Sequence, residues 1–273
     1  MSTEPENTTE ATAAAPEATP KKANNGQRRS RTATVAHYLL IASIVAIVLS
    51  PLGFRTGLLD LMIALPLMPL GAVLALLAVI VGTAGIMTTR CAAGRGRALT
   101  ALVGGGIIVV IVGVMVGGPM TAGYPAIHDI TTDTENAPAF VALKAARDAA
   151  PNGTDYPGGD VTEQQKAAYP DLDTFVTPHP GTAVFAAAEA AAVSMGWDMI
   201  DLAPNEGRIE ATATTRIYGY KDDIVIRIQP TMSGTTEVDV RSVSRVGQGD
   251  LGANAARIRA FITALQQQLA DNS

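Results

Sequence analysis

Near the end of this 273-residue chain, the stretch SRVGQGDLGANAARIRAF (residues 244–261) gathers charged groups around a glycine-punctuated turn. Arg241 and Arg245 are four apart on an alternating segment, so they share one strand face while Val240 takes the other. Asp250, Asn254 and Arg257 fall in the first turns of the helical pattern that follows, with Asn254 and Arg257 adjacent at i, i+3. A helix N-terminus beside arginines is suited to an anion, such as a carboxylate or phosphate group. The same residues suit an architectural use, in which Asp250 caps the helix and pairs with an arginine, locking strand to helix. Both uses remain open. The architectural one carries the sharper expectation. Arg245 or Arg257 should meet an acid of the 129–133 segment, tying the domain's entrance to its end, because an unpaired buried charge is costly.

A second set of residues invites catalysis. In IHDITTD (residues 127–133), His128 could serve as a base oriented by Asp129 or Asp133, with Ser242 or Ser244 as nucleophile. No GxSxG elbow accompanies them, and in an extended segment the side chains of His128 and Asp129 point apart. Solvated polar residues are the favoured account. His128 and His179 lack HxxxH or HxH spacing, so no metal or other cofactor is expected. The candidate ligand-binding set is therefore Arg241, Arg245, Asp250, Asn254, Arg257, His128 and Asp129, with no catalytic residue assigned.

What positions these groups is a chain of three parts. Residues 1–31, rich in Ala, Thr, Pro and Glu, lack core-forming groups and are expected to be a disordered basic cytoplasmic tail. Residues 32–120 hold three apolar runs, at 32–52, 61–87 and 99–118, each close to or beyond the roughly 18–20 residues that cross a bilayer and free of Asp, Glu, Lys and Arg. The first is too long for a cleaved signal peptide and is followed by two more, so a three-helix transmembrane anchor is expected. Basic residues cluster before the first run and at Arg90, Arg95 and Arg97 between the second and third. Only Arg55 follows the first run, and none follows the third until Lys144. That distribution predicts a cytoplasmic N-terminus and a C-terminal domain across the membrane. With His37 the sole ionisable group near a span, anchoring is favoured over transport. Pro66 and Pro69 should kink the second helix, and Gly104 to Gly106, Gly113 and Gly117 should allow close helix packing, within the chain first and between copies second.

Residues 124–273 have ordinary globular composition. Up to Gly123 there are nine basic and five acidic residues, a balance of +4; beyond it eleven and twenty give −9, together the net −5. An acidic domain argues against nucleic acid as a partner. The only cysteine, Cys91, lies outside this region, so no disulfide framework is possible there. Residues 138–150 suggest a helix opened by Pro138, residues 161–169 a short one, and the alanine-rich residues 181–197 a well-packed one. Strands at 199–203 and 208–216 flank a Pro-Asn-Glu-Gly turn; a second pair, 224–229 and 236–246, flanks residues 230–235. Sharing an apolar face pairs Ile226 with Val238, Arg227 with Glu237 and Asp223 with Arg241. A closing helix over residues 251–269 should pack through Leu251, Ile258, Ile262, Leu265 and Leu269. The fold expected after the membrane anchor is α+β, a small antiparallel sheet packed by helices.

Three segments, AIHDITTDTENAPAF (126–140), GRIEATATTRIYGYKDDIVIRI (207–228) and VDVRSVSRVGQGDLGANAARIRAF (238–261), resemble domain of unknown function family 1499 (DUF1499). The resemblance covers nearly all of residues 124–273. It implies a bacterial envelope protein, here an inner-membrane, multi-pass one with a periplasmic domain, and it implies no particular activity. The expected function is a binding or scaffolding domain rather than an enzyme, the alternative being an envelope hydrolase using His128 and Asp129. The expected partners are the lipid bilayer and either an anionic envelope ligand or an envelope protein.

Overall fold

A computed structural model describes Met1 and residues 30–89 and 92–271. The expected tail falls almost wholly outside the described residues, as do Arg90 and Cys91. Three helices open the fold: α1 (Arg31–Arg55), α2 (Leu61–Thr88) and α3 (Ala92–Thr121), all long and apolar enough to cross a membrane. Small residues let them approach. Ala36, Ser43 and Ser50 of α1 are buried, and the hydroxyls of Ser43 and Ser50 donate to Gly71 O and Ala64 O, both at 2.7 Å. Such bonds satisfy polar groups where no water competes. A Cβ at Gly105 would lie 2.8 Å from Ala75 O, so that glycine is required by the α2–α3 contact. Gly113 and Gly117 behave otherwise: a Cβ at either meets nothing within 4 Å. The expected packing within the chain therefore uses Gly104 and Gly105 but not the GxxxG pair, because α3 is no longer close to a neighbour there.

The remainder is α+β, as its alternating patterns imply. Strands β1 (Asp129–Thr131), β2 (Phe175–Thr177), β3 (Asp198–Ala203), β4 (Arg208–Thr214), β5 (Lys221–Pro230) and β6 (Thr236–Ser244) form one antiparallel sheet in the order β1-β6-β5-β4-β3. β2 joins β1 along the outer edge of β6, β1 at residues 241–243 and β2 at residues 236–238. Helices α4 (Lys144–Asp148), α5 (Gly159–Ala168), α6 (Gly181–Ser194) and α7 (Ala253–Asp271) complete it. The β3–β4 connection is a tight turn over Pro204–Glu206 ended by Gly207 at φ 63°, where a Cβ would sit 2.0 Å from Ile228 O; only glycine fits.

One face of the sheet carries Ile209, Ala211, Ile224, Ile226, Ile228, Val238 and Val240, all buried beneath α6 and α7. From α6 come Val184, Ala187, Ala188 and Ala191; from α7 come Ala255, Ile258, Phe261 and Leu265. Phe261 stacks on Trp197 with ring centres 5.4 Å apart.

Four expectations need correction. The β5–β6 register pairs Ile226 with Val240, Ile228 with Val238, Arg227 with Asp239 and Asp223 with Val243. This is a shift of two residues, which keeps every side chain on its expected face and so could not be excluded by face matching. Leu251 is exposed, at φ 53°, before α7 begins; Phe261 occupies the core instead. The helix expected from Pro138 shrinks to Lys144–Asp148, because residues 141–143 turn their N–H groups towards Glu210. Finally, the polar residues around Asp129 are not solvated: Asp129, Thr131 and Thr132 are buried, the first two in β1 against the edge of β6.

Candidate functional site

The cross-strand register decides which of the charged residues can meet. On the sheet face opposite α6 and α7 the rows are Thr212, Asp223, Val243 and Asp129; then Glu210, Val225, Arg241 and Thr131; then Arg208, Arg227 and Asp239. Residues 133–157 cover this face, and beneath them almost nothing reaches solvent. Arg241 sends Nε and Nη2 to the two carboxylate oxygens of Asp129 at 3.0 and 2.7 Å, a bidentate pair 3 % exposed on both sides. Its remaining donors reach Pro138 O and Thr154 O, and its guanidinium lies 5.3 Å from the Phe140 ring centre. Arg147, fully buried, contacts Asp223, Val243 O, Asn152 O and Gly153 O, and lies 4.9 Å from the same ring. Burial pushes the Arg147 guanidinium down, and Asp223 and Asp129 partly offset this. Arg245 joins by donating from Nε and Nη2 to Asp223, both at 2.9 Å.

Glu210 serves the same layer differently. Its carboxylate accepts from the backbone N–H of Val141, Ala142 and Leu143 at 2.7, 3.1 and 2.8 Å and also meets Arg208. At the far row Arg227 bridges Asp239 and Asp133 at 2.8 and 2.7 Å. Burial pushes the Asp133 carboxyl up, but bonds from Asn136 N–H, Arg227 and Glu135 N–H outweigh it and hold the group below its ordinary value.

The second half of the set lies on the α7 face. Ser242 donates to Asn254 Oδ1 at 2.7 Å and accepts from Arg257 Nη1 at 3.0 Å; Arg257 also contacts Asn254 and pairs with Asp222. Asn254 Nδ2 donates to His128 O and to Ser244 Oγ, both at 3.0 Å. The turn into α7 is shaped by Gly252 at φ 82°, where a Cβ would lie 2.7 Å from the Tyr124 ring. Within it, Asp250 accepts from Gly252 N–H at 2.8 Å and Asn254 N–H at 2.7 Å, capping the helix as its position implied. The expected arginine partner goes elsewhere: Arg241, Arg245 and Arg257 pair with Asp129, Asp223 and Asp222.

The sheet thus divides the seven candidate residues. Arg241, Arg245 and Asp129 are on the covered face; Asn254 and Arg257 are on the helix face, with Asp250 in the turn and His128 at the edge. Arg245 and Arg257 do not contact the 129–133 segment as expected: Arg245 pairs with Asp223 and Arg257 with Asp222. Arg241 and Arg227 take the Asp129 and Asp133 carboxylates instead. Entrance and end are nevertheless tied, also by Asp250 N–H to Ile127 O at 3.1 Å and Ser244 N–H to His128 O at 3.0 Å. His128 Nδ1 lies 3.3 Å from Gln248 O, while Asp129 is engaged by Arg241 and Ser242 by Asn254 and Arg257, so these three groups contact separate partners. Among the described residues no three His, Cys, Asp or Glu converge as a metal site.

Sequence reasoning missed Arg147, Glu210 and Asp239 and gave Asp223 the wrong arginine; these are the acids and the arginine that complete the covered layer. The alternation of Glu210 and Asp239 with apolar residues was visible. Their burial was not, because it depends on residues 133–157 folding over that face.

The end of the domain at residues 216–220 meets the helices directly. Tyr218 Oη lies 2.9 Å from Ser50 Oγ, Arg55 Nη1 donates to Arg216 O at 2.7 Å, and Phe54 and Tyr220 have ring centres 5.2 Å apart. The domain therefore sits on the end formed by the close of α1 and the start of α2. The opposite end carries Arg31, Arg95 and Arg97.

The family model described as "Protein of unknown function (DUF1499)" matches residues 129–265, about half the chain, from β1 to within α7. No curated protein matches the chain.

Proposed function

The chain belongs to the DUF1499 family, and from that premise we propose that it is an inner-membrane protein whose three helices anchor a periplasmic binding or scaffolding module of the cell envelope. The observation that carries the reading is the seat of the domain on the end of the bundle opposite Arg31, Arg95 and Arg97. Basic residues are retained on the cytoplasmic side, so the domain belongs on the other. A scaffolding role agrees with arginines that are already paired. An anion at Arg241 would have to displace Asp129, and one at Arg257 would compete with Asp222. The favoured partner is therefore an envelope protein. At the sheet end far from the membrane helices, a hollow of about 790 Å³ lined by Phe185, Pro204, Glu206 and Pro230 offers it a surface.

Complementation of a deletion strain separates this role from hydrolysis. His128 is a clean site for the test, since among the described residues its ring hydrogen-bonds only Gln248 O. If the protein scaffolds, His128→Ala restores the lipid and peptidoglycan profile as fully as the wild type does. A stably produced His128→Ala protein that fails to restore it would favour the hydrolase.

A further inference from the structure

Beyond the packed region around Gly105, α2 and α3 separate and leave a trough of about 780 Å³. Leu65, Met68 and Val73 of α2 and Val112 and Val116 of α3 form its walls, and Gly113 and Gly117 open onto it. A groove at this depth cannot stand empty, since its walls would forgo dispersion contacts. Apolar attraction alone selects nothing there, because lipid tails are as apolar as the walls.

The selective feature is the trough's end. Tyr218 and Tyr220 of the C-terminal domain line it there, their rings parallel within 3° and their centres 4.9 Å apart. Leu65 and Tyr220 also line a second cavity, of about 380 Å³, that runs beneath the domain. Besides Tyr220, its polar side chains are Thr215, Asp222, Ser244 and Asp250, all oxygen-bearing. Asp222 is paired with Arg257, Asp250 accepts only from backbone N–H groups, and no Lys or Arg is among the described residues lining either cavity. Tyr218 is held by Ser50 and Met68. For the Tyr220 hydroxyl no hydrogen-bond partner is found among the described residues, and burial pushes its pKa up to about 12, so it stays a neutral donor. Apolar trough and oxygen-lined cavity adjoin at Leu65 and Tyr220, and together they outline an amphipathic cavity at the level where Tyr side chains mark the membrane surface.

We propose that this cavity holds one membrane lipid, its acyl chain in the α2–α3 trough and its head beneath the domain, with preference for a head that donates hydrogen bonds and carries no net negative charge. Phosphatidylethanolamine has such a head; phosphatidylglycerol, with its net negative charge, suits an acid-lined mouth less well. The reading of the domain as periplasmic enters only in deciding which leaflet supplies the lipid.

Native mass spectrometry of the full chain, released from nanodiscs of equal phosphatidylethanolamine and phosphatidylglycerol, tests this. The expected result is one retained lipid, enriched in phosphatidylethanolamine over the nanodisc. Gly113→Leu and Gly117→Leu, which fill the trough from open positions, should abolish the adduct. Gly106→Leu is the control: its surroundings are equally open, but it does not line the trough, and it should retain the lipid. Tyr220→Phe should keep a lipid and lose the head preference. Absence of a retained lipid in the wild type, or an adduct undiminished in both Gly113→Leu and Gly117→Leu, overturns the proposal. So does a dimer that these variants convert to monomer with no lipid involved, which would assign the glycines to a second copy. None of these results depends on which side of the membrane the domain occupies.

Discussion

The two faces of the sheet are built from the same strands and buried to a similar degree, yet by different chemistry. One is aliphatic, with Ile209, Ile224, Ile226 and Val240 against regular helices α6 and α7. The other is ionic, with Asp129, Glu210, Asp223, Asp239 and Arg241 beneath a largely irregular segment that brings Arg147. The aliphatic face tolerates imprecision, because burial of apolar area is non-directional. The ionic face does not. Each carboxylate there is matched by a guanidinium or by backbone N–H groups, and an unmatched member would be a buried charge. An alternating strand is usually taken as apolar inside and polar in water; here the polar side is inside as well.

The sharpest way to break the comparison is to remove one ion. Arg241→Ala leaves Asp129 buried without its partner and should destabilise the protein by about 3–5 kcal/mol. Replacing the pair together, Arg241→Met with Asp129→Leu, should recover most of that loss, since a buried pair often has a near-neutral apolar substitute. Thermal unfolding of the full chain in detergent checks both. If the single and double variants are equally damaged, the ionic layer does more than satisfy itself. On the aliphatic face, Ile226→Ala should cost about 2–5 kcal/mol, set by how far the surroundings collapse, with no rescue by a second substitution opposite. Asp250→Ala, at the helix cap, should cost about 0.5–2 kcal/mol in the same measurement.

The smallest effect concerns acid. The Asp133 carboxyl is held below its ordinary value in the folded protein, so its contribution is present above the unfolded value of 3.8 and is lost as pH falls through the folded one. Asp133→Asn should accordingly flatten the acid limb of the stability profile below about pH 4 while leaving that limb's shape above pH 5 unchanged. An acid limb as steep as the wild type's would assign the transition to other carboxylates.

The sequence was legible where a pattern is local. Three uninterrupted apolar runs announced α1 to α3, period-two alternation announced β4 to β6, and Asp250 announced the start of α7. It was less legible where the outcome rests on distant partners. A two-residue slip between β5 and β6 conserves both faces, so Ile226 against Val240 could not be told from Ile226 against Val238 by hydrophobicity. β1 and β2 exist because β6 has a free edge to pair with, which no three-residue segment advertises. The charged residues around the β6–α7 turn are neighbours along the chain, but the sheet separates them in space. That a sheet runs between Arg241 and Arg257 follows from the alternation of Arg241 and Ser242, the latter being the residue that Arg257 contacts.

The central claim, a module held across the membrane from the cytoplasm, can be read from the chain's one cysteine. Cys91 stands in the sequence after Thr88, the last residue of α2, and just before Ala92, the first of α3; Met232, in the β5–β6 turn, is fully exposed at the far end of the domain. A membrane-impermeant maleimide applied to cells with a permeabilised outer membrane should leave the wild-type protein unlabelled until the inner membrane is lysed. It should label Met232→Cys at once. Immediate labelling of the wild type, with no additional label on Met232→Cys before lysis, would place the domain in the cytoplasm and contradict the account.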